Sequence, residues 1–149
     1  MLLNIVTDEE LLTSQIIKTI VLCLAGGGII YNVFKIIRSE SGKKKLINSI
    51  ILAILSVAIF MVLKEYRIEA ALLKSPQYVQ GTTVGHCDVF ARGKGIEFEY
   101  EVDGRKYRNC NTYHPVSKDS ILVPGGKYQV RYSIKFPGSG RMNFRMKTN

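Results

Sequence analysis

The chain has 149 residues, 46% of them hydrophobic, and a formal net charge of +9. The apolar residues lie mostly in the first half and the charged residues in the second, which argues against one uniform soluble domain and predicts an anchor (1–75) followed by a small domain (76–149). The small domain alone carries 12 basic and 6 acidic side chains from residue 75 onward. This excess fits an anionic lipid surface, an acidic partner protein or an anionic ligand, and it does not distinguish them.

The first predicted element is a helix from about Asp8 to Ile37. Thr7 and Glu10 have the spacing of a capping box, in which a hydroxyl and a carboxylate bind free backbone amides at the helix start. From Thr19 to Phe34 the chain has no charged residue over 16 positions. A helix of this length approaches the roughly 30 Å of a bilayer's hydrocarbon core.

A basic loop, RSESGKKK from Arg38 to Lys45, leads to a second uncharged run of 18 residues from Leu46 to Leu63. The two runs predict a transmembrane helical hairpin, because the rest of the chain is too short to bury both as core helices. The positive-inside rule places the loop in the cytoplasm and both termini on the extracytoplasmic side. We therefore expect a protein of the bacterial inner membrane with two spans.

Small residues predict where the two spans meet, because they let helix backbones approach closely. Cys23 and Gly27 are four positions apart on the first run, and the second run carries a small-residue stripe. The predicted packing residues are Cys23, Gly26, Gly27, Gly28, Ser49, Ala53 and Ser56. The alternative is a kink, or a lipid or ion path, at the glycine triplet with Asn32 and Asn48.

After Pro76, a hairpin is the clearest β signal. Apolar residues alternate with glutamates from Ile96 to Val102, and Asp103-Gly104 is typical of a two-residue type I′ turn. Pairing across this turn sets three residue pairs opposite each other: Glu101 with Lys106, Tyr100 with Tyr107, and Glu99 with Arg108.

Two further strands are predicted near the end of the chain. One runs from Lys127 to Phe136 after Pro124-Gly125-Gly126, and the other covers Met142 to Met146. With a weaker first strand at Thr82 to Ala91, about five antiparallel strands would form a small barrel or curled sheet. Alternation points a set of basic residues away from the core, and we expect this basic face to bind an acidic protein: Lys127, Arg131, Lys135, Arg141 and Arg145.

Cys87 and Cys110 are predicted to form a disulfide if the domain lies outside the cytoplasm. Two free thiols are the first alternative. The second is a zinc site that adds His86 and His114, although adjacent residues on a strand point to opposite faces. No cofactor or metal is expected.

Catalysis has little support in the sequence. A nucleophile set can be composed from Cys110 and His114 with Asp88 or Asp119, but no surrounding motif marks it. The row Glu97, Glu99 and Glu101 is explained by facing Lys106 and Arg108 as a solvated ion-pair face. The outward basic residues lack a stacking motif, so nucleic-acid binding is not expected.

Two segments, GIEFEYEVDGRKY (95–107) and GKYQVRYSIKFP (126–137), resemble a widespread bacterial family of membrane-anchored domains of unknown function. The shared pattern is a Tyr-x-Val-Asp-Gly-x-x-Tyr hairpin and a Gly-begun strand with a Val-x-Tyr core that ends near a proline. The resemblance covers roughly residues 80–146. It implies a fold and no activity, because the matching positions are turn and core residues.

The leading hypothesis is a non-enzymatic inner-membrane protein whose β domain binds another protein, as a subunit of a membrane assembly or as an immunity-type protein. The architecture allows a homo- or hetero-oligomer in the bilayer. The alternative is a ligand-gated membrane effector in antiphage defence, whose basic cytosolic β domain binds an anionic nucleotide. That alternative rests on architecture alone.

Overall fold

The architecture is a helical hairpin followed by a small β domain, as predicted. The computed structural model describes residues 6–90, 93–112, 116–117 and 120–148. The helices are α1 (Asp8–Arg38) and α2 (Gly42–Lys74). The strands are β1 (Gln77–Val89), β2 (Gly93–Val102), β3 (Arg105–Asn111), β4 (Lys127–Ser133) and β5 (Phe136–Lys147).

Helix α1 begins at the predicted capping box. The Thr7 hydroxyl oxygen accepts the Glu10 amide at 3.4 Å, and the Glu10 carboxylate accepts the Thr7 amide at 3.2 Å. These reciprocal bonds satisfy backbone donors that have no partner within the helix. The start of α1 is therefore set by local chemistry.

Both helices are long and apolar enough to cross a membrane. In each helix only 6% of the most apolar 18-residue window is buried. The core helix of a soluble protein would hide such a surface from water. The exposure of these side chains therefore fits a lipid environment better than a water-exposed one.

The predicted small-residue faces do not form the contact between the two helices. Cys23, Ser49, Ala53 and Ser56 are exposed, and a Cβ added at Gly26 or Gly27 would meet nothing within 4 Å. Only Gly28 lies near the other helix, with Leu55 Cδ1 at 3.5 Å from an added Cβ. The more buried stripes carry larger residues, including Leu22, Asn32, Asn48 and Leu52. Side-chain packing thus replaces the close backbone approach that we expected.

The chain forms two compact units, and their limits differ from the predicted boundary after residue 75. One unit comprises Leu12–Glu69, and the other contains the residues up to Leu11 together with those from Ala70 onward. The ends of the helices therefore belong to the β unit. Leu11 and Leu72 are 0% and 1% exposed, so both helix ends contribute apolar side chains to buried positions.

The five strands form one antiparallel sheet in the order β3-β2-β1-β4-β5. The β2–β3 hairpin has the predicted register, with Glu101 opposite Lys106 and Tyr100 opposite Tyr107. Asp103 and Gly104 have φ values of 50° and 73°. Two positive φ values are what a type I′ turn requires, so the turn residues determine this register.

The core lies on the concave side of the curled sheet. Phe98, Val130 and Met142 are fully buried there, and Tyr128 packs edge-on against Phe144 with ring centroids 5.4 Å apart. These residues come from the inward positions of β2, β4 and β5. The period-2 pattern therefore predicts the inward face correctly at these residues. It also points Ile134 and Met146 inward, and this is wrong, because they are 70% and 53% exposed. The predicted strand from Lys127 to Phe136 ends at Ser133, and Ile134 lies in the turn before β5.

A row of side-chain hydrogen bonds joins the two edge strands, and we call it the polar seam. The Asn109 side-chain amide of β3 donates to the carbonyls of Gly138 and Gly140 in β5 at 2.9 and 3.2 Å. The Asn111 amide donates to the Met142 carbonyl at 2.9 Å. The seam binds edge groups that would otherwise be open to another strand.

The Tyr100 hydroxyl is the centre of the polar seam. It donates to the Pro137 carbonyl at 2.6 Å and accepts the Gly140 amide at 2.8 Å. A Cβ at Gly140 would lie 2.6 Å from Tyr100 Cζ, so glycine is required for this contact. Burial raises the pKa of the Tyr100 hydroxyl above its ordinary value, although the Gly140 hydrogen bond opposes the shift.

The predicted disulfide between Cys87 and Cys110 is present, and it crosses over β2. Its Cα atoms are 6.1 Å apart, and it connects β1 with β3. Gly95 of β2 lies beneath it, since a Cβ there would be 2.9 Å from the Cys110 sulfur and 2.5 Å from the Asn111 carbonyl oxygen. Because Gly95 has no side chain, the disulfide can pass over β2 and link β1 to β3.

Replacing Tyr100 by Phe should destabilise the β unit by about 1–2 kcal/mol at pH 7, because a buried amide and a buried carbonyl lose their partner. The wild-type advantage should shrink as pH rises. The stability that comes from a raised tyrosine pKa is fully present at pH values below the pKa in the unfolded chain, which is about 10. It is lost as the pH rises through the pKa in the folded chain. Urea unfolding in detergent, followed by tyrosine fluorescence at several pH values, measures both effects.

The matched control is Tyr107→Phe. The Tyr107 ring stacks on Tyr100 with centroids 5.7 Å apart, but its hydroxyl has no hydrogen bond within the described residues. This variant should change stability little. Equal losses in the two variants would contradict a specific role for the Tyr100 hydroxyl.

Candidate functional site

The basic face predicted for protein binding is divided in the structure. Lys127, Lys135 and Arg145 are exposed, as expected. Arg131 and Arg141 are only 4% and 5% exposed, so the prediction that they lie on an open contact surface is wrong. Alternation places both side chains on the outer face, as predicted, but that face is covered at these two positions.

Arg131 is bound to both helix ends within the β unit. Its Nη2 and Nε atoms donate to the Leu72 carbonyl at 2.7 and 3.2 Å, and its Nη1 donates to the Val6 carbonyl at 3.0 Å. Nη2 also lies 2.7 Å from the Asp8 carboxylate. One guanidinium thus ties β4 to the start of α1 and the end of α2.

The contact with Leu72 has a general cause. The last carbonyls of a helix have no partner within the helix, and a nearby cation stabilises the negative end of the helix dipole. Leu72 lies in the last turn of α2, and its carbonyl receives two of the Arg131 donors. Arg131 therefore caps α2, a role that strand alternation could not reveal.

An irregularity in β5 lies beside a group of exposed basic residues. Gln129 pairs with Asn143, but the preceding residue Tyr128 pairs with Lys147, so β5 has extra residues between these two pairs. Such bulges redirect side chains, and they are common near functional sites. The bulge leaves Arg145, Met146 and Lys147 exposed.

We define the bulge patch as Lys127, Arg145, Met146 and Lys147. Lys127 adjoins the end of β5, since its carbonyl accepts the Thr148 amide at 3.0 Å. Met146 is 53% exposed among these cations. Methionine and arginine are enriched at protein interfaces, so an exposed methionine within a cationic rim has the composition of a binding surface.

Lys135 is separate from the bulge patch. It lies in the turn that joins β4 to β5, beside Ile134, which is 70% exposed. Lys127 begins β4 and Lys135 follows its end. Lys127 therefore adjoins the end of β5, whereas Lys135 lies beyond the other end of β4.

A buried ion pair inside the helical unit was not predicted. Lys18 Nζ lies 2.5 Å from Glu69 Oε2, and the Ser14 hydroxyl donates to the two Glu69 oxygens at 3.3 and 3.1 Å. Glu69 is 0% exposed. Removing either charge would leave the other buried without compensation, so this pair fixes the register of α1 against α2. The four-residue spacing of Ser14 and Lys18 is a weak sequence signal for it.

The disulfide removes the thiols that the zinc and nucleophile interpretations need, because both use a free thiolate. His86 is exposed, and no group of three or more possible metal ligands occurs in the part of the chain that the structure describes. His114 and Asp119 lie outside the described residues. Arg108 Nε lies 2.9 Å from Glu97 and 3.5 Å from Glu99, which confirms the ion-pair interpretation of these glutamates.

Comparison with known proteins returned no matching family model, no matching curated protein and no matching solved structure. The resemblance to the bacterial family of membrane-anchored domains stays a prediction.

Replacing Arg131 by Met should destabilise the β unit by about 2–4 kcal/mol, because it removes every donor to the Leu72 and Val6 carbonyls while keeping most of the side-chain volume. The control is Lys127→Met on the same strand, which alters an exposed side chain and should change stability by less than about 0.5 kcal/mol. Urea unfolding measures the decrease in the free energy of unfolding for each variant.

Hydrogen exchange should locate the effect of Arg131→Met at the helix ends. Amides in the last turn of α2 and the first turn of α1 should exchange faster, while β2 and β3 change less. Uniformly faster exchange over the sheet would contradict a specific link between Arg131 and the helix ends.

Proposed function

We propose that this chain is a non-enzymatic, two-span protein of the bacterial inner membrane that displays its β unit on the extracytoplasmic side for binding another protein. The exposed apolar surface of both helices supports insertion in a bilayer. The Cys87–Cys110 disulfide supports an oxidising compartment for the β unit, because structural disulfides persist there and are rare in the cytosol. The basic loop between the spans supports the same orientation.

The bulge patch is the observation that carries the binding role. A regular β4–β5 pair would not need extra residues in β5, and the bulge leaves Met146 exposed between Arg145 and Lys147. An acidic segment with an apolar residue complements this surface, since carboxylates would meet the cations and the apolar residue would cover Met146. We therefore assign the partner to acidic extracytoplasmic segments of membrane or secreted proteins.

The disulfide also weighs against the nucleotide-gated effector. That role requires a cytosolic β domain, where a structural disulfide is unusual. The burial of Arg131 and Arg141 further reduces the cationic surface available to an anionic nucleotide.

Cysteine labelling in intact cells tests the orientation. Cys23 is replaced by Ala, so that both remaining native cysteines are in the disulfide. A new cysteine is then placed at Lys147 or at Ser41, both exposed. A membrane-impermeant maleimide should label Lys147→Cys in intact spheroplasts and Ser41→Cys only after lysis. Labelling in the reverse order would reject the proposed orientation and favour the cytosolic effector.

Charge reversal tests the bulge patch. The variant K127E/R145E/K147E should abolish partner capture, because like charges would replace the attraction to an acidic segment. All three side chains are exposed, so folding should be retained. Cross-linking in membranes followed by affinity purification compares the captured proteins with those of the wild type.

The matched control is K94E/R105E/K106E. It reverses three exposed basic residues on β2 and β3, and it gives the same net charge. It should keep the partner if the bulge patch is the contact. Equal loss in both variants would indicate attraction by net charge alone, and full capture by both would exclude this patch as the binding surface.

A further inference from the structure

A cavity lies at the loop end of the helical hairpin. It has a volume of about 800 Å³, and its lining includes Lys35 and Arg38 from the end of α1 and Lys44, Ile47 and Asn48 from the start of α2. All of these residues belong to the helical unit.

The charges around the cavity are largely uncompensated. Among the described residues, Lys35, Arg38 and Lys44 form no ion pair, and Glu40 is the single acidic residue of the lining. Lys35 is held over the Tyr31 ring, with Nζ 5.3 Å from the ring centroid. A cavity with this balance attracts an anion.

Backbone amides at the start of α2 add hydrogen-bond donors, and their partial charge is also positive. Lys45 is the first residue of α2 whose amide donates to a carbonyl of its own helix start, at 3.1 Å from the Ser41 oxygen. The preceding amides of Gly42, Lys43 and Lys44 therefore lie at the positive end of α2. Helix starts of this kind bind phosphate and other anions.

Asn48 supplies an independent indication of a ligand. Its side chain is 7% exposed and lines the cavity, yet it has no hydrogen-bond partner within the described residues. Asn32, the other buried asparagine of the helices, differs because its amide donates to the Gly28 carbonyl at 2.8 Å. The amide atoms of Asn48 are not among the fully enclosed unpartnered atoms of the described residues, so they are accessible from the cavity and can bind a polar group there.

The depth of the cavity favours a lipid as the source of that group. Lys35 directly follows the uncharged run of α1, and Ile47 lies one residue inside the uncharged run of α2. The cavity therefore spans the boundary between charged and apolar chain, which is where lipid phosphates lie when such runs are in a bilayer. Ile47 is 57% exposed and could contact acyl chain next to the headgroup.

We propose that this cavity is a binding site for the phosphate group of an anionic phospholipid, with Lys35, Arg38 and Lys44 as its cations and the Asn48 amide as a hydrogen-bond donor. The inference rests on the proposed insertion in a membrane, and it is independent of the partner-binding role of the bulge patch. A free phosphate ion shares the same chemistry, so the experiment must separate the two sources.

The full-length protein is purified, delipidated in detergent and titrated with phosphatidylglycerol or phosphatidylcholine, and retained lipid is counted by native mass spectrometry. Wild type should retain phosphatidylglycerol selectively. The variant K35Q/K44Q should weaken this retention about tenfold, since each lysine near a membrane surface contributes appreciably to anionic lipid affinity. The matched control K43Q/K45Q removes the same charge from residues outside the cavity lining and should change it less than about threefold.

Asn48→Leu tests the site without a change of charge. It removes the amide at nearly constant volume and should lower phosphatidylglycerol retention, while insertion is retained because leucine suits a membrane helix. Alkali extraction of membranes measures insertion separately, so loss of lipid selectivity and failure of the membrane proposal are distinguishable. An intact Cys87–Cys110 disulfide on a non-reducing gel verifies the fold of each variant.

Competition with inorganic phosphate identifies the source. Retention of phosphatidylglycerol in millimolar phosphate supports the lipid headgroup. If inorganic phosphate displaces phosphatidylglycerol from the wild type and has no such effect on K35Q/K44Q, the cavity is still a phosphate site, but its ligand is assigned to a soluble phosphate. The proposal would be overturned if K35Q/K44Q and K43Q/K45Q lost phosphatidylglycerol equally. It would also be overturned if the wild type retained phosphatidylglycerol and phosphatidylcholine equally.

Discussion

The β unit depends on one buried guanidinium. Arg131 stands on the outer face of β4, where an antiparallel sheet of this size would ordinarily meet water. Because its donors bind the Leu72 and Val6 carbonyls, that face is covered by helix ends, and Leu11 and Leu72 become buried. The sheet is thus covered on both sides at Arg131 of β4. A domain of about 70 residues has few other ways to enlarge its core.

The two edges of the sheet are protected although β3 and β5 do not pair with each other as strands. The side chains of Asn109 and Asn111 connect the edge strands β3 and β5, and the Tyr100 hydroxyl of β2 binds both β5 and Asn109. The disulfide joins β1 to β3 over Gly95, so it holds the curvature that brings the two edges close. Side-chain and covalent links therefore supply what a further pair of paired strands would supply in a closed barrel.

The elements determined by local chemistry could be predicted from the sequence. The capping box at Thr7 and the type I′ turn at Asp103-Gly104 each depend on neighbouring residues, and both agree with the structure. The period-2 pattern of β4 agrees at Tyr128 and Val130 and fails at Ile134, where the strand has ended. The fate of Arg131 could not be predicted, because an arginine on the outer face of a strand has the same pattern whether water or a helix end covers it. The bulge in β5 was also missed, since no glycine or proline marks the residues between Asn143 and Lys147.

The basic residues of this chain have three different physical roles, which explains why net charge indicated so little about function. Arg131 binds carbonyls and a carboxylate inside the fold, and Lys18 forms an ion pair with Glu69. Exposed cations include those of the bulge patch and those of the loop cavity. In the proposed two-span topology, a membrane separates the connecting loop from the two ends, so these two sets would meet different chemistry. The loop set has an unpartnered amide and lies at the start of apolar helix, which suits a lipid phosphate. The bulge set surrounds an exposed methionine, which suits a protein surface.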